Sequence, residues 1–522
     1  MTDTSAATTT DRNRSRSEVV GTADGAVQGL EVDGIRIFRG IRYGAPTAGA
    51  NRFRPPQPVA RWTGVLDTVE YGETAPQTFS RLALGGTKGN RPALGEDCLV
   101  LNVWTPGCDA ARRPVMVWLH GGGFEAGTGS MALYDGRNVA RRGDVVVVTV
   151  NHRLNLFGHL HLADVGGEEF AGSGNAGYLD IVAALSWVRD NIAGFGGDPG
   201  NVTIYGQSGG GRKVSISMGA AAARGLFHRA IVQSGSHLRL VERERAQAMT
   251  DAVLKLLDIP SGQIRRLQEV PMDALVEANR TVRGRFSPTL DDVVFSSHPW
   301  DPEAPELSRE VPLMVGTCRT ELSNQVGSAD PSSFELTEAD LPTRLARYFP
   351  EADIAALVDV VRRSSPGASP SEVFFSLATA RGYWLDSVLQ TERKAQQGGA
   401  PVYSYRLMWR TPVEGGRRIT PHSLDLPFVF DNVAIAPDMV GPPSEETAAL
   451  ADAMSESWLA FARTGDPNHP KVGPWAPYDL DRRTVMLFDV ESAAIDDPHA
   501  EERVAMSRYP TQQMAGRVLH RA

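Results

Sequence analysis

Two glycine-rich segments carry residues able to do acyl-transfer chemistry. Gly206-Gln207-Ser208-Gly209-Gly210 follows the β-rich run Asn201 to Tyr205 and precedes a helix-like segment. That is the strand, sharp turn and helix context in which the serine of a G-x-S-x-G motif is pushed outward as a nucleophile. The glycines serve the motif physically, because a strained turn brings its backbone close to neighbouring elements. Taken alone, the same five residues also fit an ordinary Gly/Ser turn. The second segment narrows the choice: the strand-like run Val115 to Leu119 ends in His120-Gly121-Gly122-Gly123-Phe124, an oxyanion-type glycine loop. Acyl transfer concentrates negative charge on the former carbonyl oxygen, and backbone N–H groups unobstructed by side chains can reach it.

Positioning these residues requires a sheet. Val27 to Val32, Asp33-Gly34 and Ile35 to Phe38 read as a hairpin, since Asp-Gly supplies the positive φ angles of a type I′ turn. From Pro114 onward, short apolar runs (PVMVWLH, DVVVVTV, NVTIYG, FHRAIVQSG, VPLMVGT) alternate with turns and helix-like segments, the pattern of a buried, mostly parallel sheet. Tyr178 to Ile192 has helical apolar spacing and suits a crossover helix, with Gly194 as its stop. Residues 240 to 400, with helices expected at Ala339 to Tyr348 and Asp353 to Arg363, read as insertions capping the sheet. Ser444 with Glu445 and Glu446 reads as an N-cap, Gly465 as a stop, and Thr484 to Asp489 as a last strand.

The 522 residues, 42% hydrophobic and 22% charged, suit a large globular core. A net charge of −9 provides no global basic field for nucleic acid or an anionic membrane. Residues 1 to 17 are polar and lack an apolar signal region, so a disordered tail is expected there, with one domain over 18 to 522. No apolar run is long enough to span a bilayer. Three cysteines, Cys98, Cys108 and Cys318, argue against a disulfide framework and favour a reducing, cytoplasmic compartment.

The motifs together with FRGIRYGAP, RFRPPQP, GEDCLVLNVWTP, GNAGYLD, LFHRAIVQSGS, PHSLDLPFVF and FARTGDPN resemble the type-B carboxylesterase family, which includes bacterial para-nitrobenzyl esterases and the cholinesterases. The resemblance covers most of the chain. It implies an α/β-hydrolase fold: a large, mostly parallel central sheet with helices on both faces, N-terminal antiparallel strands and helical caps. It implies Glu321, in GTCRTE, as the acid and His422, before LPFVF, as the base, giving the chain order Ser208, Glu321, His422. It also implies Gly122, Gly123 and Gly209 as oxyanion donors, and Ser234 and Asp425 as support for the triad, although both also fit the role of ordinary buried hydrogen-bond partners. Arg52 and Glu96 resemble a structural ion pair. The activity implied is carboxylic-ester hydrolysis of a small molecule by water, without cofactor or metal. Hydrolysis of an amide or carbamate by the same residues is the alternative, and a non-catalytic binding module a more distant one. The elbow departs from the common Glu-Ser-Ala pattern, and Cys98 has no upstream cysteine to pair with.

Three other signals point elsewhere. Gly172 to Gly177 matches G-x-G-x-x-G by letter, but no convincing strand precedes it, as a dinucleotide site would require. His159 and His161 lack the further ligands that a metal needs. The mixed-sign run Val241 to Gln247 fits a solvated helix face.

Overall fold

A computed structural model describes residues 14–78 and 93–511. Among the described residues thirteen strands form one sheet: β1 Arg14–Gly21, β2 Ala26–Val32, β3 Ile35–Arg42, β4 Val65–Asp67, β5 Val100–Thr105, β6 Arg113–Leu119, β7 Val146–Val150, β8 Gly197–Gln207, β9 Arg229–Gln233, β10 Leu313–Cys318, β11 Val402–Leu407, β12 Thr484–Phe488 and β13 Ala493–Asp496. The order is β1-β2-β3-β5-β7-β6-β8-β9-β10-β11-β12-β13, with β4 beside β2. Pairing is antiparallel from β1 to β7 and parallel from β7 through β6 and β8 to β12. It turns antiparallel again at β13.

Apolar runs become central strands here because both faces of the sheet are covered. Along β6, Val115, Val117 and Leu119 enter one apolar cluster and Met116 and Trp118 the other, as the two-residue period of a strand requires. The hairpin at Asp33-Gly34 has φ of 51° and 80°, the geometry that Asp-Gly favours. The crossover helix runs Ala176–Asn191. Capping segments bury apolar clusters of their own, one around Leu345, Leu357 and Phe375 and one around Leu254, Leu267 and Leu275.

Some boundaries differ from expectation. Residues 14 to 17, placed in the disordered tail by composition, begin β1 and pair with β2; residues 1 to 13 lie outside the described part. Regular backbone pairing with β2 is available to this polar stretch irrespective of its side chains. The helix expected over Ala339 to Tyr348 is α-helical only at Leu341–Leu345, since Pro342 sits in its first turn, where proline is tolerated, and Pro350 blocks continuation. At Ser444 the cap closes onto Thr447 as a capping box, and Glu445 and Glu446 occupy the first turn.

Ion pairs brace the loops above the sheet. Arg153 donates to Asp180 at 2.6 and 2.8 Å, both residues being fully buried. Arg52 donates to Glu96 at 2.5 and 2.9 Å, and its remaining N–H groups reach the carbonyls of Leu267, Gln268 and Val270. Asp180→Asn is expected to cost about 3–5 kcal/mol, because it strands a buried guanidinium; urea denaturation measures it, and a loss below about 1 kcal/mol would contradict the assignment.

Candidate active site

β8 ends at Gln207 and the helix Gly209–Ser217 begins immediately after Ser208. Ser208 joins them at φ 58°, ψ −120°, a conformation that non-glycine residues adopt only when the surroundings hold them there. Ser208 N–H donates to Gln233 O at 2.8 Å, fixing the turn to the end of β9. A side chain on Gly210 would place its Cβ 1.8 Å from Leu119 O, and one on Gly209 would lie 2.2 Å from Gly123 O. The two glycines thus let the elbow close onto β6 and onto the glycine loop that follows it.

In that loop Gly122 and Gly123 take φ of 97° and 67°. Ala126 N–H donates to Gly122 O at 3.0 Å, and a Cβ on Gly122 would meet Ala126 O at 2.2 Å. The backbones of Gly123 and Gly209 are therefore in contact one residue from Ser208. Beneath them, the buried Lys213 ammonium donates to His120 O at 2.9 Å, anchoring the end of β6. Burial and the neighbouring Arg212 hold the Lys213 amine well below its ordinary range.

Glu321 follows β10 and is completely buried. Its Oε1 accepts from Ser234 Oγ at 2.6 Å and from Cys318 N–H at 2.7 Å, and its Oε2 accepts from His422 Nδ1 at 2.5 Å. A carboxylate acceptor at Nδ1 assigns the proton to that nitrogen and leaves Nε2 as an acceptor. The loops carrying acid and imidazole are joined by His422 N–H to Glu321 O at 3.2 Å and Thr420 N–H to Thr320 Oγ1 at 2.9 Å. Asn324 Nδ2 adds a bond to His422 O at 2.9 Å.

The fold thus brings Glu321, His422 and Ser234 together and sets His422 against the residue preceding Ser208. Gln207 Nε2 donates to His422 Nε2 at 3.1 Å; among the described residues, the Ser208 hydroxyl makes no hydrogen bond to His422. Asp425 stands one step back. It accepts from Gln233 Nε2 at 2.7 Å, and Gln233 is the residue whose carbonyl holds Ser208. Burial pushes the Asp425 carboxyl up to about 6, against the pull of the Gln233 hydrogen bond. The folded chain therefore retains between about pH 4 and 6 a proton that the unfolded chain has lost, and this group's contribution to stability falls as pH rises through that window. Asp425→Asn is expected to raise the melting temperature more at pH 8 than at pH 5; thermal scans giving equal shifts would contradict this.

Two contacts escape sequence reasoning. The Gln207 amide was visible only as the variable letter of the motif. Tyr383, whose ring lies 4.9 Å from the His422 ring, sits in the π-helical turn Ala380–Trp384 with no local motif around it; such turns recur at functional sites. The rival signals have structural placements. Asn175, within Gly172 to Gly177, bonds Thr289 and Asp291. His159 Nδ1 approaches Gly174 O at 3.2 Å, and His161 Nε2 approaches Asp164 at 3.1 Å. The mixed-sign run enters the helix Arg243–Leu256 with its charged residues largely exposed. Among the described residues no helix is long and apolar enough to cross a membrane.

A mostly parallel sheet with a strained serine at a strand-to-helix turn defines an α/β-hydrolase. Residues 16–507 match the family model described as the carboxylesterase family. The para-nitrobenzyl esterase of Bacillus subtilis is 35% identical, over 93% of this chain and 98% of its own. The phenmedipham hydrolase of Pseudarthrobacter oxydans is 31% identical, over 91% and 96%. The crystal structure of a carboxylesterase from Geobacillus stearothermophilus superposes with a TM-score of 0.80 at 36% identity, over 94% of this chain and 100% of that one. The chain belongs to the carboxylesterase family, and it is a serine-type carboxylic-ester hydrolase.

Proposed function

We propose that Ser208, His422 and Glu321 hydrolyse a small-molecule carboxylic ester through a covalent acyl-enzyme. The observation that carries this reading is the 3.1 Å contact from Gln207 to His422 Nε2, because it sets an acceptor nitrogen, oriented by Glu321, beside the strained serine. In acylation the Ser208 hydroxyl replaces Gln207 as donor to Nε2, its proton moves to the imidazole, and Oγ attacks the ester carbonyl. Glu321 stabilises the imidazolium, and the N–H groups of Gly122, Gly123 and Gly209 take up the charge on the carbonyl oxygen. The imidazolium returns its proton to the departing alkoxide. Water, deprotonated by His422, then attacks the acyl carbon, and the imidazolium returns that proton to Ser208 Oγ as the acid leaves.

Acid-quenching during turnover of a slowly deacylated ester should leave the acyl mass on the peptide containing Ser208; a fully acylated protein with that peptide unmodified would refute the reading. Gly122→Ala is expected to lower kcat by about a hundredfold or more, because the Cβ would be forced against Ala126 O at 2.2 Å in a backbone conformation that L residues rarely adopt. Steady-state kinetics with KM nearly unchanged would separate this from a binding defect. A cytoplasmic home is part of the same proposal: Cys98, Cys108 and Cys318 are all free thiols, the cysteine usage of a reducing compartment.

A further inference from the structure

Two arginines near Ser208 and Glu125 form no ion pair with a described residue. Arg212 lies one turn along the helix from the elbow, its backbone N–H donating to Ser208 O at 3.0 Å. Its Nε is buried without a hydrogen-bond partner, and its guanidinium makes no hydrogen bond or ion pair to any described residue. Part of its surface nevertheless stays open, as does that of Ser208. The charged and polar groups acting on Arg212 are Tyr383, Arg285 and Asp386. Tyr383 is the residue packed on His422, so Arg212 belongs to the wall of the site.

Arg285 comes from a different segment and is exposed. Its charge reaches Arg212, Tyr383 and Glu125. Glu125 directly follows the glycine loop, and the backbone of Phe286, next to Arg285, approaches its carboxyl. Like Arg212, Arg285 forms no ion pair with a described residue. Segments of the elbow helix, the glycine loop, the His422 side and the capping region thus lie within electrostatic reach of two guanidiniums that form no ion pair with a described residue. The nearby carboxyls of Glu125 and Asp386 form no ion pair with either arginine, and burial pushes them up to about 7 and about 6. Arginine keeps its charge at any working pH. For Arg212, whose Nε is buried, a desolvated cation without an ion pair is costly, and the planar fork of either arginine matches a carboxylate.

We propose that Arg212 and Arg285 form an anion-recognition subsite beside Ser208, and that the preferred substrate is an ester carrying a carboxylate on its acyl or its alcohol part. The inference rests on Ser208 being the nucleophile. Binding the second carboxylate replaces the missing counter-ion and orients the scissile carbonyl toward the elbow, so the selectivity is read in kcat/KM. Ion pairing of this kind weakens with salt only as far as the subsite is open to it.

The test uses matched pairs: a neutral nitrophenyl alkanoate against the mono-nitrophenyl ester of a dicarboxylic acid of the same length, and phenyl acetate against acetoxybenzoate. The ratio of kcat/KM, anionic over neutral, is measured in wild type, Arg285→Met, Arg285→Lys and Arg212→Met. The expected result is that the ratio for at least one pair falls about tenfold or more in both methionine variants and recovers partly in Arg285→Lys. The pair that responds assigns the carboxylate to the acyl or the alcohol side. Should Arg212→Met fail to fold, the exposed Arg285 variants decide alone. A ratio unchanged by loss of the arginine charge in both pairs overturns the subsite. Neutral-ester turnover that persists in wild type and ends in Ser208→Ala would then still support the esterase reading, which separates the two failures.

Discussion

Ser208→Ala is expected to lower kcat for ester hydrolysis by about a millionfold while leaving KM close to that of the wild type. The hydroxyl is lost, yet the rest of the site persists. Alanine can occupy the same φ of 58° at a strain similar to that of serine, and the turn is held by backbone contacts, Ser208 N–H to Gln233 O and Arg212 N–H to Ser208 O. A residual rate above that of water remains, because the glycine donors still favour the tetrahedral species. Rapid-mix kinetics should show no burst of alcohol release, and a fluorophosphonate should no longer label the protein. Turnover within tenfold of wild type would reject Ser208 as nucleophile.

Glu321→Gln is expected to lower kcat by about ten-thousandfold through the tautomer of His422. The new amide has one acceptor and one donor end. Cys318 N–H, which occupies Oε1 at 2.7 Å, can only donate, so the amide oxygen must take that position. The amide nitrogen then faces His422 Nδ1 and donates to it. Nδ1 becomes an acceptor, Nε2 carries the proton, and the nitrogen that should accept from Ser208 presents a hydrogen instead. Nitrogen-15 NMR of the imidazole reads the tautomer directly, and kinetics read its consequence. A variant retaining the Nδ1–H tautomer and near-normal kcat would show that Glu321 does not set the ring.

Much of this site was legible in the amino-acid order because its parts are local. The elbow is strand, glycine turn and helix within a dozen residues, and the oxyanion loop directly follows a strand, so both announce themselves by spacing. Glu321 and His422 were reachable only through family resemblance. Each is a single residue in a loop, and neither loop has a pattern that composition or periodicity selects. Nothing in the sequence marks Gln207 and Tyr383 as neighbours of the imidazole. The contact of Tyr383 with His422 depends on a π-helical turn, which one extra residue in a helix creates without a sequence signal. The start of β1 carries no signal for a related reason: a polar edge strand is paired through its backbone and needs no apolar signature.

By itself the sequence determined the Asp-Gly hairpin, the apolar runs that make the central sheet two-sided, and the two glycine motifs that point to acyl-transfer chemistry. It also determined the absence of a basic field. Only the tertiary structure decided what surrounds those motifs. It placed Ser234 and Cys318 N–H on Glu321, Gln207 on His422, and Asp425 behind the carbonyl that holds Ser208. It also left Arg212 and Arg285 without an ion pair to any described residue. The reason is physical: local spacing follows from backbone geometry, whereas hydrogen bonds and unpaired charges depend on which distant segments are brought within a few ångströms.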